Sequence, residues 1–83
     1  MNAIYRTGIE VGVEFSAPFN VTFGWQQARQ EFSVWHHAED VGDARYTILG
    51  TGHGYHRPFD LVATVVMPDG FHAFHLVRLK GEK

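Results

Sequence analysis

Residues 61–79 constrain this chain more than any other stretch. The run Leu-Val-Ala-Thr-Val-Val-Met over 61–67 is apolar and mostly β-branched; Pro68-Asp-Gly70 follows, and residues 71–79 then alternate. Proline at the second turn position presets φ and glycine closes the turn, so the two runs read as a β-hairpin. On the returning strand Phe71, Ala73, His75, Val77 and Leu79 fall on one face, with His72, Phe74, Leu76 and Arg78 on the other. The near-continuous apolarity of 61–67 predicts a central strand covered on both faces. A lone hairpin is barely stable in water, so the remaining residues must extend the sheet.

Residues 3–15 supply the next pattern. Tyr5, Thr7, Ile9, Val11, Val13 and Phe15 alternate with Arg6, Gly8, Glu10, Gly12 and Glu14. A period of two predicts a half-buried strand, with Gly8 or Gly12 as the place for a bend. Ser16-Ala-Pro18 punctuates, and Phe19, Val21 and Phe23 then share a face. Between 25 and 38 two patterns compete: Trp25, Ala28, Phe32 and Trp35 have helical spacing, whereas 31–37 alternates. No strong N-cap precedes Trp25. The reading adopted is a strand over 19–26, a turn at 27–30 and a strand over 31–37. An acidic turn follows at 39–43, then a short strand over 46–49. The Lys80-Gly-Glu-Lys83 tail is expected to fray.

The expected fold is mostly β: a small antiparallel curled sheet or sandwich of five to seven strands, with little or no helix. At 83 residues the chain is read as one domain over 1–83. The apolar fraction of 45%, including twelve aromatics, is enough for a core, each aromatic burying roughly 150–250 Å². There is no cysteine, so no disulfide compensates for small size, which suits a reducing cytosol. Oligomerisation remains as a way to bury more surface, and open sheet edges invite it; a homo-oligomer is expected.

The charge is −2 with neutral histidines, and only Arg78, Lys80 and Lys83 cluster. The chain therefore lacks the basic stripe of a nucleic-acid binder. No apolar run approaches a membrane span, and the start shows no leader pattern, so a cytoplasmic location is expected.

Polar side chains gather in one stretch, Gly50-Thr-Gly-His-Gly-Tyr-His-Arg57. The candidate binding residues are Gly50, Thr51, Gly52, His53, Tyr55, His56 and Arg57, joined by His75 from the hairpin. Successive backbone N–H groups in a glycine-rich loop can form an anion nest, and Arg57 suits phosphate. The phosphate-loop fingerprints, however, need a following helix, and here a proline and a strand follow. The plainer reading is that the glycines permit a crowded turn. Histidines occur as His36/His37, His53/His56 and His72/His75. Strand residues three apart, or adjacent, point to opposite faces, so only His53 and His56 can converge on a metal, with Asp60. This falls short of a ligand set, and no metal or cofactor is assigned. Thr51 beside His53 is too loose to name a nucleophile and its base, and no catalytic residue is assigned. The histidine pair has a sharper structural role: His53 and His75 bracing the loop against the hairpin through ring hydrogen bonds.

Taken together, Ala3-Ile-Tyr-Arg6, Phe32-Ser-Val-Trp35, Tyr46-Thr-Ile-Leu-Gly-Thr-Gly-His53, Leu61-Val-Ala-Thr64 and Phe71-His-Ala-Phe-His75 resemble a family of small bacteriophage proteins without an assigned activity. The acidic turn lacks the proline of that pattern, and Gly54-Tyr-His-Arg57 is particular to this chain. The resemblance implies a short β-rich domain and a setting in the cytoplasm of an infected bacterial host. The expectation that follows is an accessory protein of host takeover that binds and inhibits a host protein, such as a defence component. Two alternatives accompany it: sequestration of a nucleotide-like or other small anionic ligand by the 50–57 loop of an oligomer, and a structural role in virion assembly.

Overall fold

A computed structural model describes residues 3–40 and 42–81. Seven strands form: β1 (Ile4–Ile9), β2 (Phe15–Ala17), β3 (Thr22–Gln26), β4 (Glu31–His37), β5 (Ala44–Gly50), β6 (Phe59–Val66) and β7 (Ala73–Leu79). They make two antiparallel sheets, the first ordered β1-β4-β3 and the second β2-β5-β7-β6. The described residues contain no helix. The sheets face each other as a thin sandwich, 40 × 38 × 16 Å in Cα extent, and β3 lies alongside β6 at one side.

The core sits between the sheets. Ile9, Phe23, Phe32 and Val34 come from the first; Tyr46, Ile48 and Leu76 come from the second. Phe32 is its aromatic hub, with ring centroids 5.4 Å from Phe23, 4.9 Å from Trp25 and 5.2 Å from Phe74 across the gap. Such edge and offset pairs each add about 0.5–1.5 kcal/mol beyond area burial. Tyr46 is fully buried, and its hydroxyl donates to the carbonyls of Pro18 (2.7 Å) and Phe19 (3.0 Å). That phenol fixes 18–21, which is irregular here; the strand expected over 19–26 begins at Thr22.

The competition over 25–38 resolves as strand, turn, strand. Gln26–Gln30 is closed by the Arg29 and Gln30 amides bonding to Gln26 and Gln27 carbonyls, with Gln30 at φ +53°. The helical spacing of Trp25 and Phe32 survives as a cross-strand pair, since the two are register partners. The 67–70 turn forms as expected: Gly70 N–H bonds to Met67 O at 2.9 Å with Gly70 at φ +77°. The faces of β7 also fall as the alternation predicts, with Phe74 and Leu76 toward the core. At the tail, the Lys80 amide bonds to Pro58 O at 2.9 Å; residues 82–83, and Val41 of the acidic turn, lie outside the described residues.

Two expectations are corrected. Residues 3–15 are not one strand, although the bend expected at Gly8 or Gly12 does fall at Gly12. The chain turns at Gly12 (φ +85°), whose amide bonds to Ile48 O, and passes from the first sheet (β1) to the edge of the second (β2). The alternation runs through the crossing unbroken, so it carries no mark of it, and Val11 and Val13 stay exposed. Residues 61–67 are not a central strand either: β6 is last in the second sheet, and Leu61 and Val66 are each 63% exposed. Strand β5, inside that sheet, is covered on both faces instead, buried from Tyr46 to Gly50. A bulge between Leu61 and Ala63 keeps β6 apolar in a row: Val62 and Ala63 both pack toward the core, while Leu61 and Thr64 face away.

Around Ser33 the outer face of the first sheet is closed by its own side chains. Gly8, Ser33 and Gly24 are aligned across β1, β4 and β3. Ser33 is fully buried beneath a polar lattice. Arg6 Nη1 donates to Glu31 (2.6 Å) and to Ser33 Oγ (2.9 Å), and Ser33 Oγ donates to Gln26 Oε1 (3.2 Å). The two glycines make room for this cover. A Cβ on Gly8 would stand 2.8–2.9 Å from the Glu31 carboxylate, and one on Gly24 would stand 3.3 Å from the Trp35 ring.

Candidate functional site

The outer face of the second sheet is built differently. Alternation sends Leu49 outward from β5, and His75, Val77 and Leu79 outward from β7. From β6, Phe59, Leu61 and Thr64 join them. The segment between β5 and β6 folds over part of this surface, and Tyr55 packs on Leu49, Val77 and Leu79.

Local chemistry sets that segment's path. Strand β5 ends in a turn in which the His53 amide bonds to Gly50 O at 3.1 Å, with Gly52 at φ +89°. A Cβ on Gly50 would meet His53 Nδ1 at 3.1 Å, so glycine lets the imidazole lie on the strand end. The far end of the segment is tied to Glu14, just before β2. The Tyr55 hydroxyl donates to Glu14, Arg45 Nη2 donates to it at 3.3 Å, and Arg57 Nη1 stands 3.8 Å away. The Tyr55 hydrogen bond, aided by the two guanidinium groups, holds the Glu14 carboxyl below the usual carboxylate range. The same bond to Glu14 pushes the Tyr55 phenol up. Arg57 Nη2 also donates to Lys80 O at 2.6 Å, while its Nε is buried without a partner among the described residues.

The predicted residues therefore divide. Gly50, Thr51, Gly52, His53 and His75 come together around a cleft of about 240 Å³ floored by Leu49 and Val77 and walled by Leu61. Gly52 shapes the turn. Tyr55 and Arg57 face Glu14, an arrangement that commits the loop's cation and phenol to a carboxylate. His56 is exposed and lies against Tyr55, with centroids 4.5 Å apart. Across His53 a second hollow, about 360 Å³, is bounded by Phe71, His72 and Phe74.

Of the two histidines expected to brace the loop, His75 does so, whereas the His53 ring makes no hydrogen bond among the described residues. The His75 Nε2 lies 2.7 Å from Thr51 Oγ1 and its Nδ1 lies 2.9 Å from Thr64 Oγ1, so one imidazole links the loop, β7 and β6. Each ring nitrogen thus meets a hydroxyl, which can donate or accept whichever tautomer is present. Among the described residues no three His, Cys, Asp or Glu side chains gather to hold a metal ion. Asp60 instead pairs with Lys80 at 3.3 Å.

Sequence reasoning missed Glu14, Thr64, Phe59, Leu61 and Val77. A signal for Leu61 was available: a run apolar on both faces, once placed at an edge, leaves one face uncovered. Nothing local in the sequence marks Glu14 as the anchor of a loop some forty residues later.

No known protein family, curated protein or solved structure matches the chain. Among the described residues, no helix is long and apolar enough to cross a membrane.

Proposed function

We propose that this chain acts by binding another protein on the outer face of the second sheet, beside the 50–57 loop. One observation carries the reading. Phe59, Leu61, Val66 and Phe71 are 37, 63, 63 and 89% exposed; Phe59 and Leu61 lie on one side of the turn that holds His53, Phe71 lies on the other, and Val66 stands at the hairpin end of β6. Isolated apolar side chains on a surface are ordinary, but a run of them along one edge strand and its hairpin turn marks an interaction surface. Aromatic and aliphatic anchors of this type supply most of the energy in protein interfaces. Around them, Asp60, Lys80, Asp69 and the His72 imidazole offer a polar rim. The resemblance to small bacteriophage proteins makes the expected partner a host protein, and inhibition by occlusion the expected effect. Anion capture by the loop finds less support, because Arg57 and Tyr55 are both engaged by Glu14.

The test compares the native chain with a Leu61→Glu, Val66→Glu double variant. Proteins retained from infected-host lysate are identified, purified and titrated against both chains, with native mass spectrometry of each chain alone. A single host protein bound stoichiometrically by the native chain, with at least about 100-fold weaker binding by a folded variant (~2.7 kcal/mol), is the expected result. Equal binding by both chains overturns the reading. So does a dimer of the native chain that the variant abolishes, because the face would then serve self-association.

A further inference from the structure

The far end of the first sheet holds a second cleft, of about 340 Å³, bounded by Ile4, Asn20, Thr22, Trp35, His37 and Asp40. Three strands meet there. His37 is the register partner of Ile4, Thr22 is the partner of Trp35, and the turn after β4 brings in Asp40, whose amide bonds to His37 O at 3.1 Å. The Trp35 ring leans on Gly24, which fixes it as one wall. Among the described residues, the side chains of Asn20, Thr22, His37 and Asp40 make no hydrogen bond or ion pair, and neither does Trp35 Nε1. This contrasts with the next residues along the same face, where Arg6, Glu31, Ser33 and Gln26 satisfy one another.

We infer that this cleft binds a neutral, polyhydroxylated ring, the chemistry of a sugar. An immobilised indole offers an apolar plate for the C–H face of a pyranose. Around it stand groups that donate (the Asn20 amide, Trp35 Nε1), groups that accept (Asp40) and groups that do both (Thr22, His37). A hydroxyl both donates and accepts, so a ring of hydroxyls uses this mixture fully. An anion does not fit, because Asp40 sets a carboxylate in the cleft and the guanidinium of Arg6, the register partner of Trp35, is bonded to Glu31 and Ser33. A bare cation would leave the Asn20 and indole donors without acceptors. The volume lies at the lower end of small-molecule sites, which suits one or two rings.

The experiment follows the amide and indole N–H resonances of the full chain by NMR. The probes are neutral oligosaccharides of glucose, galactose, mannose, rhamnose and N-acetylglucosamine, each titrated separately, with inorganic phosphate and tetramethylammonium as further probes. At least one saccharide is expected to shift the Trp35 indole N–H and the Asn20 and Thr22 amides saturably, with a Kd of ~1 mM or tighter. The Trp25 indole, bonded to Gln27 Oε1 at 2.8 Å, should stay in place. Trp35→Ala should weaken binding at least tenfold. Asp40→Ala, in the turn after β4, gives a second variant with the same expected loss should Trp35→Ala unfold. The inference is overturned when no saccharide of the set moves these resonances, or when phosphate or tetramethylammonium moves them more than any saccharide.

Discussion

The two outer faces of this sandwich are made from similar amounts of chain and end in opposite states. On the first sheet, glycines at 8 and 24 let Glu31 and Trp35 lie down against the strands, and Arg6 fastens Glu31 over a fully buried Ser33. That stretch of the face is finished by its own residues, and only the cleft beyond Trp35 is left open. On the second sheet, the 50–57 segment covers Leu49, Val77 and Leu79, but its cover stops short of Leu61 and Val66. The lesson is that a small domain can bury one outer face with polar side chains bonded to each other and leave the other apolar and open. The open face is where an additional molecule gains most, since water is displaced there without loss of existing hydrogen bonds.

Substitutions test this contrast, beginning with one buried and one exposed leucine of the second sheet. Leu76 is fully buried on β7, and Leu61, on the neighbouring β6, is mostly exposed. Leu76→Ala should destabilise by about 2–5 kcal/mol in urea unfolding, whereas Leu61→Ala should stay within about 0.5 kcal/mol. A large loss at Leu61 would mean that this face is already closed in the free chain. Next, Ser33→Ala should cost about 1.5–3 kcal/mol, because it removes a hydroxyl that accepts from a guanidinium in a buried position. A neutral outcome would show that the lattice over the first sheet is cover without cohesion. Gly8→Ala should cost less, under about 1 kcal/mol, since the Glu31 carboxylate can swing aside and give up a part-exposed ion pair. The signature is a loss of salt dependence in the unfolding midpoint.

The smallest effect concerns the turn at the end of the open face. Asp69 accepts from the amides of Phe71 (2.7 Å) and His72 (3.1 Å) and from His72 Nδ1 (2.7 Å). The Phe71 amide first, then the His72 side chain and amide, hold its carboxyl at about 2. A depressed carboxylate stabilises the fold above its unfolded pKa of roughly 4, and that contribution fades as pH falls through its folded value. The stability gap between the native chain and Asp69→Asn should therefore shrink between about pH 4 and pH 2. A gap that is constant with pH would show that the turn is held by Pro68 and Gly70 without help from the carboxylate.

Much of this fold was legible in the sequence, for reasons visible at particular residues. Alternation in 31–37 and 73–79 tracks a face-by-face difference in burial that a period of two reports directly. Met67-Pro-Asp-Gly70 states its geometry in its own chemistry. What stayed hidden depends on partners distant in sequence. The crossing at Gly12 lies inside an alternation that suits either sheet. The edge position of β6 was masked because its outer residues are as apolar as its inner ones. Within the site, the clustering of Gly50, Thr51, His53 and His75 followed from a glycine-rich strand end opposite a hairpin. The fastening of Tyr55 and Arg57 to Glu14, and of His75 to Thr64, depends on how the sheets assemble.

The crossing at Gly12 has a mechanical consequence. β1 edges one sheet and β2 edges the other, and only five residues join them. A force or fluctuation that peels β1 from β4 is passed within a few residues to β2 and β5, and through Glu14 to the loop. The two sheets are thereby stitched into one cooperative unit, and a cut after residue 17 would strip a border from both at once.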